Sequence, residues 1–276
     1  MERISVRMPS PEGVAAGGQA LLKCPIGRAY HGLLLEYSGV TLAQMTEIRI
    51  KANGKVIHRY SAQVRDDMNK FNGLAAADGI LYIPFDRIGL KTRQGEEEML
   101  INTGSRGENG QAITSLHVEI DIASAASAPV LNFYAIQSEA RPGGPGTVLH
   151  LVPYTRSAAG AGELQVSDLP FNQQTAILLN RTFIKSANLT RLRLERNTYT
   201  IFERKKALNE LVQANGARVP QSGYFVYDTT EQGYGGAMTN IAQAAGGPVN
   251  DFRYILEMSG AEQITFWPEY VGNLGD

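Results

Sequence analysis

The sequence predicts an all-β protein built from two tandem jelly-roll β-barrels, a double jelly roll with one short helix in each barrel. Three observations lead to this prediction. Apolar and polar residues alternate over many short stretches, 29 Gly and 12 Pro cluster in bursts between them, and the two halves of the chain resemble each other. Each half would hold about seven or eight short strands, a pattern typical of sandwiches and jelly rolls rather than of βαβ folds.

A domain boundary is expected near the midpoint. The 276 residues suffice for two domains of average size. The densest Gly/Pro burst has the sequence ARPGGPGT at residues 140–147, where it would interrupt both helix and strand. We therefore expect a first jelly roll over residues 1–139, a linker over 140–147 and a second jelly roll over 148–276.

The two halves align over several strand-like segments. Apolar residues occupy alternate positions in both copies, as expected for strands with one buried and one solvated face. Three segments recur in the second half at one constant shift in residue number, and two more pairs lie towards the end of each half. The aligned pairs are 31–36 with 175–180, 46–51 with 190–195, 79–83 with 223–227, 118–122 with 252–256, and 131–134 with 264–267. We interpret the chain as a tandem duplication.

A hairpin is predicted at the same place in each half. Asn53-Gly54 is a dipeptide that tolerates the positive φ angles of a two-residue turn. The second half keeps Asn197 but has Thr198 where the first has glycine, so its hairpin signal is weaker.

One helix of about three turns is predicted after each hairpin. Apolar residues there recur at helical spacing, and each run ends in Asn-Gly, at 72–73 and at 215–216, where glycine can cap the helix. The apolar positions are Val64, Met68 and Phe71 in the first half, and Leu208, Leu211 and Val212 in the second.

Charge and targeting signals narrow the function classes. The 26 Lys and Arg balance 27 Asp and Glu, so the surface as a whole has no electrostatic reason to bind nucleic acid or anionic lipid. The single Cys24 cannot form an intramolecular disulfide and is expected to be a small buried hydrophobe. The N-terminus lacks the apolar region of a signal peptide, and no apolar run reaches the ~18 residues of a membrane span. We expect synthesis in the cytoplasm.

Catalytic signatures are missing from the sequence. It contains no nucleophile elbow, Walker loop, HExxH pair or paired metal-ligand cysteines. The glycine-rich segments 104–110, 233–236 and 246–248 lack the Gly-Lys-Ser/Thr ending of a phosphate loop and are interpreted as adaptable surface loops. No catalytic, cofactor-binding or metal-ligating residue is assigned, and we expect a protein that is not an enzyme.

Two acidic groups could in principle hold a cation. His117, Glu119 and Asp121 alternate along one strand, but successive side chains on one face stand ~6.8 Å apart, which favours a plain solvated face over a metal site. The run of glutamates at 96–98 is interpreted as a solvated turn, with weak structural Ca²⁺ binding at a subunit junction left open.

A group of basic residues marks the second half. Positive charge at the start of the predicted helix opposes the helix macrodipole, so an acidic partner, either another subunit or a phosphate, would be favourable. No aromatic residues interleave with these cations, so we favour a solvated or inter-subunit face and do not infer nucleic-acid binding. The residues are Arg191, Arg193, Arg204, Lys205 and Lys206.

Several segments resemble a known family. CPIGRAY at 24–30, EYSGVT at 36–41 and the strand-hairpin-strand at 48–60 resemble the major capsid protein of corticoviruses, the membrane-containing, tailless icosahedral bacteriophages. The stretch from 129–131 through the glycine-rich segment to 154–156 is similar to that family's junction between two barrels. The likeness covers much of the first half and is weaker over the second.

The resemblance implies a shell-building function. It implies a homotrimeric, pseudo-hexagonal capsomer that tiles an icosahedral capsid over an internal membrane, in the virion. The implied partners are other copies of the chain, a vertex (penton) protein, and the internal membrane or its proteins, with residues 1–8 or basic loops near lipid head groups. No direct nucleic-acid contact and no cofactor are expected.

One alternative comes from a different class. Jelly rolls also serve as carbohydrate-binding or carbohydrate-active proteins, and Trp267, Tyr224, Tyr227 and Tyr234 could stack on sugar rings. Most of these aromatic residues lie in strand patterns typical of a core. A host-encoded β-sandwich scaffold, or a capsid gene resident in a prophage, is not distinguished by the sequence.

Overall fold

The structure is a computed structural model and describes residues 2–108 and 110–275. The first jelly roll contains β1 (Ile4–Arg7), β2 (Gln19–Cys24), β3 (Arg28–Ser38), β4 (Met45–Ala52), β5 (Lys55–Tyr60), β6 (Ile80–Pro84), β7 (Ile101–Asn102), β8 (Leu116–Ile122) and β9 (Val130–Glu139). The second contains β10 (Val148–Leu151), β11 (Tyr154–Ala158), β12 (Gly162–Val166), β13 (Leu178–Lys185), β14 (Leu189–Arg196), β15 (Tyr199–Lys205), β16 (Tyr224–Asp228), β17 (Thr239–Asn240), β18 (Gln243–Ala244), β19 (Gly247–Pro248), β20 (Phe252–Met258) and β21 (Glu262–Gly272). The helices are α1 (Ala62–Phe71), α2 (Arg93–Glu96) and α3 (Lys206–Gln213).

The predicted double jelly roll is confirmed. In the first jelly roll, strands pair in the orders β1-β9-β3-β6 and β5-β4-β8-β2. In the second, the corresponding orders are β10-β21-β13-β16 and β15-β14-β20-β12, and β11 pairs with β21 as well. The path of the chain through the sheets is therefore the same in both halves.

Alternation along the strands builds the cores. In β8, the residues that face inward are Leu116, Val118, Ile120 and Ile122, all buried, while the residues between them are half-buried. Full burial of such a side chain contributes about 1.5–3 kcal/mol relative to leaving it exposed. Cys24 is buried too, as predicted, and burial raises the pKa of its thiol to about 12.

Two β-bulges in each hairpin region fix the alignment between the halves. The extra residue is Thr46 in β4 and Thr190 in β14, and it is Ile57 in β5 and Ile201 in β15. Both pairs have the same separation in sequence as the segments 46–51 and 190–195, so the predicted offset is confirmed over this hairpin.

The alignment predicted for 31–36 with 175–180 is wrong. The bulge residue is His31 in β3 and Asn180 in β13, so His31 corresponds to Asn180 and not to Thr175. Asn180 follows Val166 by 14 residues, whereas His31 follows the corresponding Leu22 by nine, so the second half has five more residues before this bulge. A run of three apolar residues has no unique register and could not reveal the difference. The apolar triplets at 33–35 and 177–179 therefore matched in composition without matching in position.

The remaining alignments come close to the observed registers. Ile122 and Met258 each pair with the residue just before the Thr bulge, so they are counterparts, and the predicted match of Ile122 with Leu256 is wrong. An error of two residues keeps the same face of a strand inward, so the alternation could not reveal it. The other pairs agree with the structure: 79–83 with 223–227, and 131–134 with 264–267.

Both predicted hairpin turns form. Asn53 and Gly54 have φ angles of 50° and 79°, and Asn197 and Thr198 have 48° and 70°. Positive φ at both central residues is the geometry of a type I′ turn. Thr198 therefore holds a left-handed conformation that a β-branched residue adopts only at a cost.

The two longer helices begin at corresponding positions, and α3 ends two residues earlier than α1 does. Ser61 caps α1 by accepting a hydrogen bond from Val64 N (3.3 Å), whereas the corresponding Lys205 makes no side-chain cap on α3. Arg204 and Lys205 therefore end β15, and only Lys206 lies in the helix, which corrects the prediction that all three open it. The first jelly roll also has the one-turn helix α2, beyond the single helix predicted.

Residues 140–147 run without regular structure between β9 and β10. Asn102 Nδ2 donates to Arg141 O (2.8 Å) and Gly144 O (2.7 Å), and Gly144 N donates to Ser105 Oγ (3.0 Å). These bonds hold the segment against the loop after β7. Among the described residues, no helix is both long and apolar enough to cross a bilayer.

Candidate assembly surface

The two jelly rolls share one continuous sheet. β10 of the second lies parallel to β5 of the first, with Leu151 opposite His58, and this pairing joins their sheets into one of ten strands. His58 Nε2 donates to Leu149 O (3.1 Å) across the junction. Burial, together with the nearby Arg65 charge, lowers the pKa of His58 to about 3, so the ring is neutral there.

Helix α1 packs against the second jelly roll. Phe71 contacts Phe183 edge to face, with ring centroids 5.3 Å apart. Tyr224 OH donates to Asp67 Oδ2 (3.1 Å) at the next turn. Val219 N donates to the Phe71 carbonyl (2.8 Å), so backbone as well as side chains crosses the junction.

One buried arginine of each jelly roll donates a hydrogen bond to the other jelly roll. Arg87 Nη1 of the first donates to Gly235 O (2.8 Å), and Arg181 Nη1 of the second donates to Asn72 Oδ1 (2.6 Å). Arg181 also forms a buried ion pair with Glu269 (2.7 Å). Removing one partner of such a pair leaves an uncompensated buried charge and costs about 3–5 kcal/mol.

A third arginine completes this polar seam. Arg218 Nε donates to Asp228 Oδ2 (2.8 Å), and its Nη1 donates to Ile88 O of the first jelly roll (3.1 Å). Burial lowers the pKa of Arg218, and the Asp228 carboxylate opposes that shift. The polar seam thus consists of Arg87, Arg181 and Arg218. Each of these arginines has a defined hydrogen-bond partner on the opposite jelly roll, and the three bonds together fix one orientation of the two jelly rolls.

The edge strands β1 and β15 and one face of α3 are exposed. All four residues of β1 are exposed, and no residue of β15 is buried. In α3 the residues facing the sheet are the polar Asn209 and Gln213, while Leu208 and Leu211 are 52% and 74% exposed. The apolar stripe that predicted this helix therefore faces outward.

The predicted basic group is largely paired within the second jelly roll. Arg204 forms a two-pronged ion pair with Glu231 (2.8 Å for both bonds), and Arg191 pairs with Glu203 (3.1 Å). Lys205 is exposed at the start of α3. Arg191 and Lys205 are register partners on the outer face of β14 and β15, whereas Arg204 lies opposite the buried Leu192 on the inner face.

The two predicted acidic groups are neutralised by cations of the chain. Glu119 contacts Arg49 (2.9 Å) and Lys51 (2.6 Å), and Asp121 contacts Arg49 (2.8 Å), so this strand face is a ladder of ion pairs. His117 lies on the same face, half-buried. Among the described residues, no three His, Cys, Asp or Glu side chains are grouped to hold a metal ion.

The glutamates at 96–98 also meet arginines. Glu97 accepts from Arg3 (2.8 Å), Arg93 (2.6 Å) and Arg141 (2.6 Å). Burial alone would raise the pKa of Glu97, but the hydrogen bonds from Arg93 and Arg3 outweigh it and lower the pKa to about 2. Glu98 pairs with Arg87. This turn ties the N-terminus and the segment 140–147 to the first jelly roll.

The described residues of 104–110 and the segment 233–236 lie outside the strands and α-helices, as predicted, whereas Gly247–Pro248 forms a short strand. In 104–110, Asn109 lies outside the described residues. The loop at 233–236 reaches the first jelly roll, where Lys91 N donates to Gly233 O (3.0 Å). The segment 246–248 contributes β19 to a small hairpin with β18.

One polar constellation gave no sequence signal. His31 Nε2 lies 2.9 Å from Ser138 Oγ, and His31 Nδ1 lies 3.0 Å from Asp86 Oδ2, which is the order of groups in a hydrolase triad. The three residues come from distant parts of the chain and follow no motif. All three side chains are buried, so a substrate has no access to Ser138 and the bonds join the ends of β3, β6 and β9.

The aromatic residues of the carbohydrate alternative do not form a platform. Trp267, Tyr224 and Tyr227 are buried, as their strand patterns predicted, and only Tyr234 of this set is exposed (60%). Lys91 Nζ lies 4.3 Å from the centre of the Tyr234 ring. Sugar binding by stacking on several exposed rings is therefore not favoured.

Comparisons with known proteins give a consistent result. The viral coat protein P2 N-terminal domain matches residues 5–139, and the viral coat protein P2 C-terminal domain matches residues 148–274. The major capsid protein P2 of Pseudoalteromonas phage PM2 is 25% identical over 140 residues, which are 49% of this chain and 50% of that protein. The match thus spans about half the length of this curated relative.

Solved structures share the fold. The crystal structure of the major capsid protein P2 from bacteriophage PM2 has a TM-score of 0.87 at 20% identity, covering 98% of this chain and 97% of that chain. The atomic structure of Sulfolobus turreted icosahedral virus gives 0.66 at 12% identity, covering 99% and 91%, and the PBCV-1 virus capsid gives 0.54 at 8%, covering 98% and 93%. Because the two P2 domain families together match most of the residues, the chain belongs to the viral coat protein P2 family.

Proposed function

We propose that this chain is the major capsid protein of a phage related to PM2 and that it assembles as a homotrimer. The observation that carries the proposal is the side-by-side placement of two jelly rolls with the same strand order. Three such chains around a threefold axis place six similar barrels in a ring, which gives a nearly hexagonal outline. Family membership supports the coat-protein role.

A hexagonal block suits an icosahedral facet. Each block meets its neighbours along many repeated lateral contacts, and contacts that are individually weak sum over a closed shell. We further propose a vertex protein at the fivefold positions and an internal membrane beneath the shell, with its lipids or proteins as partners. Residues 1–8 or basic loops would lie near the lipid head groups; within this segment Arg3 already pairs with Asp86 and Glu97, whereas Arg7 is an exposed cation at the end of β1.

The proposed role is structural rather than catalytic. The relatives are coat proteins, and the Ser138 constellation is closed to substrates. We propose that residues 1–139 and 148–276 act as the two barrels and 140–147 as their linker. The chain would be made in the host cytoplasm and end in the virion, without direct contact to nucleic acid, in line with its formal charge of -1.

The mass of the purified protein in solution tests the proposal. Multi-angle light scattering is expected to give three times the chain mass of 30.0 kDa. The measurement should be repeated across a dilution series, since a trimer held by moderate contacts dissociates by mass action. A protein that stays monomeric up to the highest soluble concentration contradicts the trimer.

A further inference from the structure

The contact between the two jelly rolls of one chain provides a template for contacts between chains. Helix α1 docks on the outer face of β16, β13 and β21. There, Asp67 contacts Tyr224, and Val64 lies in the same core and beside the same cleft as Trp267. In a ring of six similar barrels, each barrel meets the next in a similar way, so the second jelly roll must present equivalent groups to the next chain.

The helix side of the template recurs in α3. The offset established over the hairpin makes Leu208 the counterpart of Val64 and Leu211 the counterpart of Asp67. Val64 is buried against the second jelly roll, whereas Leu208 and Leu211 are more than half exposed. The helix is thus folded and oriented like α1 but has nothing packed on it within the described chain.

The receiving side recurs on the first jelly roll. The strand registers make Ile80 of β6 the counterpart of Tyr224, and Tyr134 of β9 the counterpart of Trp267. Ile80 is 52% exposed, and Val130 beside it on the same surface is 51% exposed. This face therefore carries apolar side chains where the second jelly roll buries its own.

We propose that α3 of one chain docks on the outer face of β6, β3 and β9 of a second copy, in the geometry by which α1 docks on the second jelly roll within the chain. The inference rests on the trimer proposed above and specifies its contact. The occupant of the exposed α3 face is another copy of this protein, because the same chain carries the matching face with the matching offsets.

The contact within the chain and the proposed contact between chains differ in residue type, and the two sides of the contact differ in a complementary way. Within the chain, Asp67 and Tyr224 form a polar pair with a hydrogen bond of 3.1 Å. Their counterparts, Leu211 and Ile80, form an apolar pair. Both members of the pair change from polar to apolar together, as expected if they contact each other.

Charge supports the same match. In the template, Ser61 of the first jelly roll and Lys185 of the second line one cleft. Their counterparts are the exposed Lys205 and Glu36, so the contact between chains would pair a cation with a carboxylate. Asp78 lies beside Glu36 on the same surface and adds to its negative charge. An acidic partner at Lys205 also offsets the charge that opposes the helix dipole of α3.

The uncovered strand edges fit this arrangement. Within the chain, Leu151 of β10 lies opposite His58 of β5. The registers make Ser5 of β1 the counterpart of Leu151, and Phe202 of β15 the counterpart of His58. The docking of α3 therefore brings β1 of one copy beside β15 of the next, which covers two edges that would otherwise remain open to unwanted pairing.

Chemical cross-linking tests the contact. In the variant Leu211→Cys with Ile80→Cys, a short bismaleimide should join chains into species of two and three chain masses on a denaturing gel. The wild type and the two single variants are controls, because Cys24 is buried and a single site does not meet itself across a threefold axis. Gln165→Cys with Ile80→Cys is the matched control, since Gln165 is exposed on β12, at the far edge of the sheet from β15.

Each outcome decides a different claim. Cross-linked trimers from the Leu211/Ile80 pair alone support the proposed contact. A trimer by light scattering that gives no cross-link with this pair, or equal cross-linking with the Gln165 pair, overturns the contact and leaves the capsid proposal standing. A wild-type protein that forms no trimer overturns both the contact and the proposed trimer. A monomeric protein whose exposed α3 face binds peptides or lipid vesicles overturns the choice of a second copy as the occupant.

A charge reversal gives an independent test. Lys205→Glu should raise the concentration at which trimers half-dissociate by about tenfold, because it places like charges across the contact. Combining it with Glu36→Lys should restore most of the wild-type value. Losses that add in the double variant would show that these residues do not face each other.

Discussion

Asn69 and Gln213 make the same hydrogen bond in the two jelly rolls. Asn69 Nδ2 donates to Tyr82 O (2.7 Å), and Gln213 Nε2 donates to Val226 O (2.8 Å). The two donors have the same separation in sequence as the two acceptors, and it is the offset seen over the hairpin. Each bond fastens the last turn of a helix to the edge strand of its sheet, so duplication has kept a polar contact that the surrounding sequence does not repeat.

The two bonds should differ in their contribution to stability. Asn69→Leu removes the donor to the Tyr82 carbonyl and also the acceptor of buried Arg65 Nε (3.1 Å), and should lower the free energy of unfolding by roughly 1–3 kcal/mol. Gln213→Leu should cost less, because Asn209 Nδ2 also donates to Val226 O (2.8 Å) and keeps it satisfied. Urea unfolding of both variants measures the difference, and equal losses would contradict this account.

The turn at Thr198 should be improvable. Thr198→Gly relieves a left-handed β-branched residue and should raise the unfolding free energy by up to about 1 kcal/mol after the backbone entropy of glycine is counted. The matched change in the first hairpin, Gly54→Thr, should lower the unfolding free energy by roughly 1 kcal/mol. This loss comes from backbone strain alone, because no atom stands within 4 Å of the position where the new Cβ would lie. Thermal melts of both variants check the opposite signs. Two shifts of the same sign would show that backbone strain does not govern these turns.

Glu97 should contribute to acid sensitivity. Its pKa is lowered to about 2, below the ordinary 4.5, so its contribution to stability is present above pH 4.5 and is lost as pH falls towards 2. Glu97→Gln should destabilise the protein at neutral pH and flatten the pH dependence within that window. Glu12→Gln, which breaks an exposed pair with Lys23, is the control and should change little. An unchanged pH profile in Glu97→Gln would refute the assignment.

His58 should affect the free energy of unfolding at a higher pH than Glu97 does. Its pKa falls from the ordinary 6.5 to about 3 in the folded protein, so between these values the unfolded chain binds a proton that the folded chain excludes. The unfolding free energy should therefore fall with decreasing pH, by up to about 1.4 kcal/mol per pH unit from this group. Unfolding measured from pH 7 to 4 should show a shallower slope in His58→Gln than in the wild type. A variant with the same slope would remove His58 as the source.

Local chemistry made much of the fold predictable. Alternation located the strands, and the dipeptide after β4 located the hairpin, because these signals depend on neighbours in sequence. The alignment of β3 with its counterpart β13 was predicted wrongly, because it depends on the position of a bulge and on the length of a connection. The orientation of α3 was missed because Asn209 and Gln213 face the sheet, where both donate hydrogen bonds to the Val226 carbonyl. That acceptor is in place only once the sheet has folded.

The candidate site was less predictable than the fold. Arg87, Arg181 and Arg218 find partners that are distant in sequence, many of them on the opposite jelly roll, and no spacing rule marks them. The basic group near α3 was visible, but its pairing with Glu231 was not. What the sequence did indicate was the duplication, from which the template for contacts between chains follows.

The central claim is that a duplicated barrel lets three chains form a six-lobed block. Class averages of the purified protein by electron microscopy, viewed down the threefold axis, test it most directly. We expect six lobes of similar size in a nearly hexagonal ring, alternating between first and second jelly rolls. A particle whose lobes form a triangle, a row or any ring without six comparable lobes would contradict it.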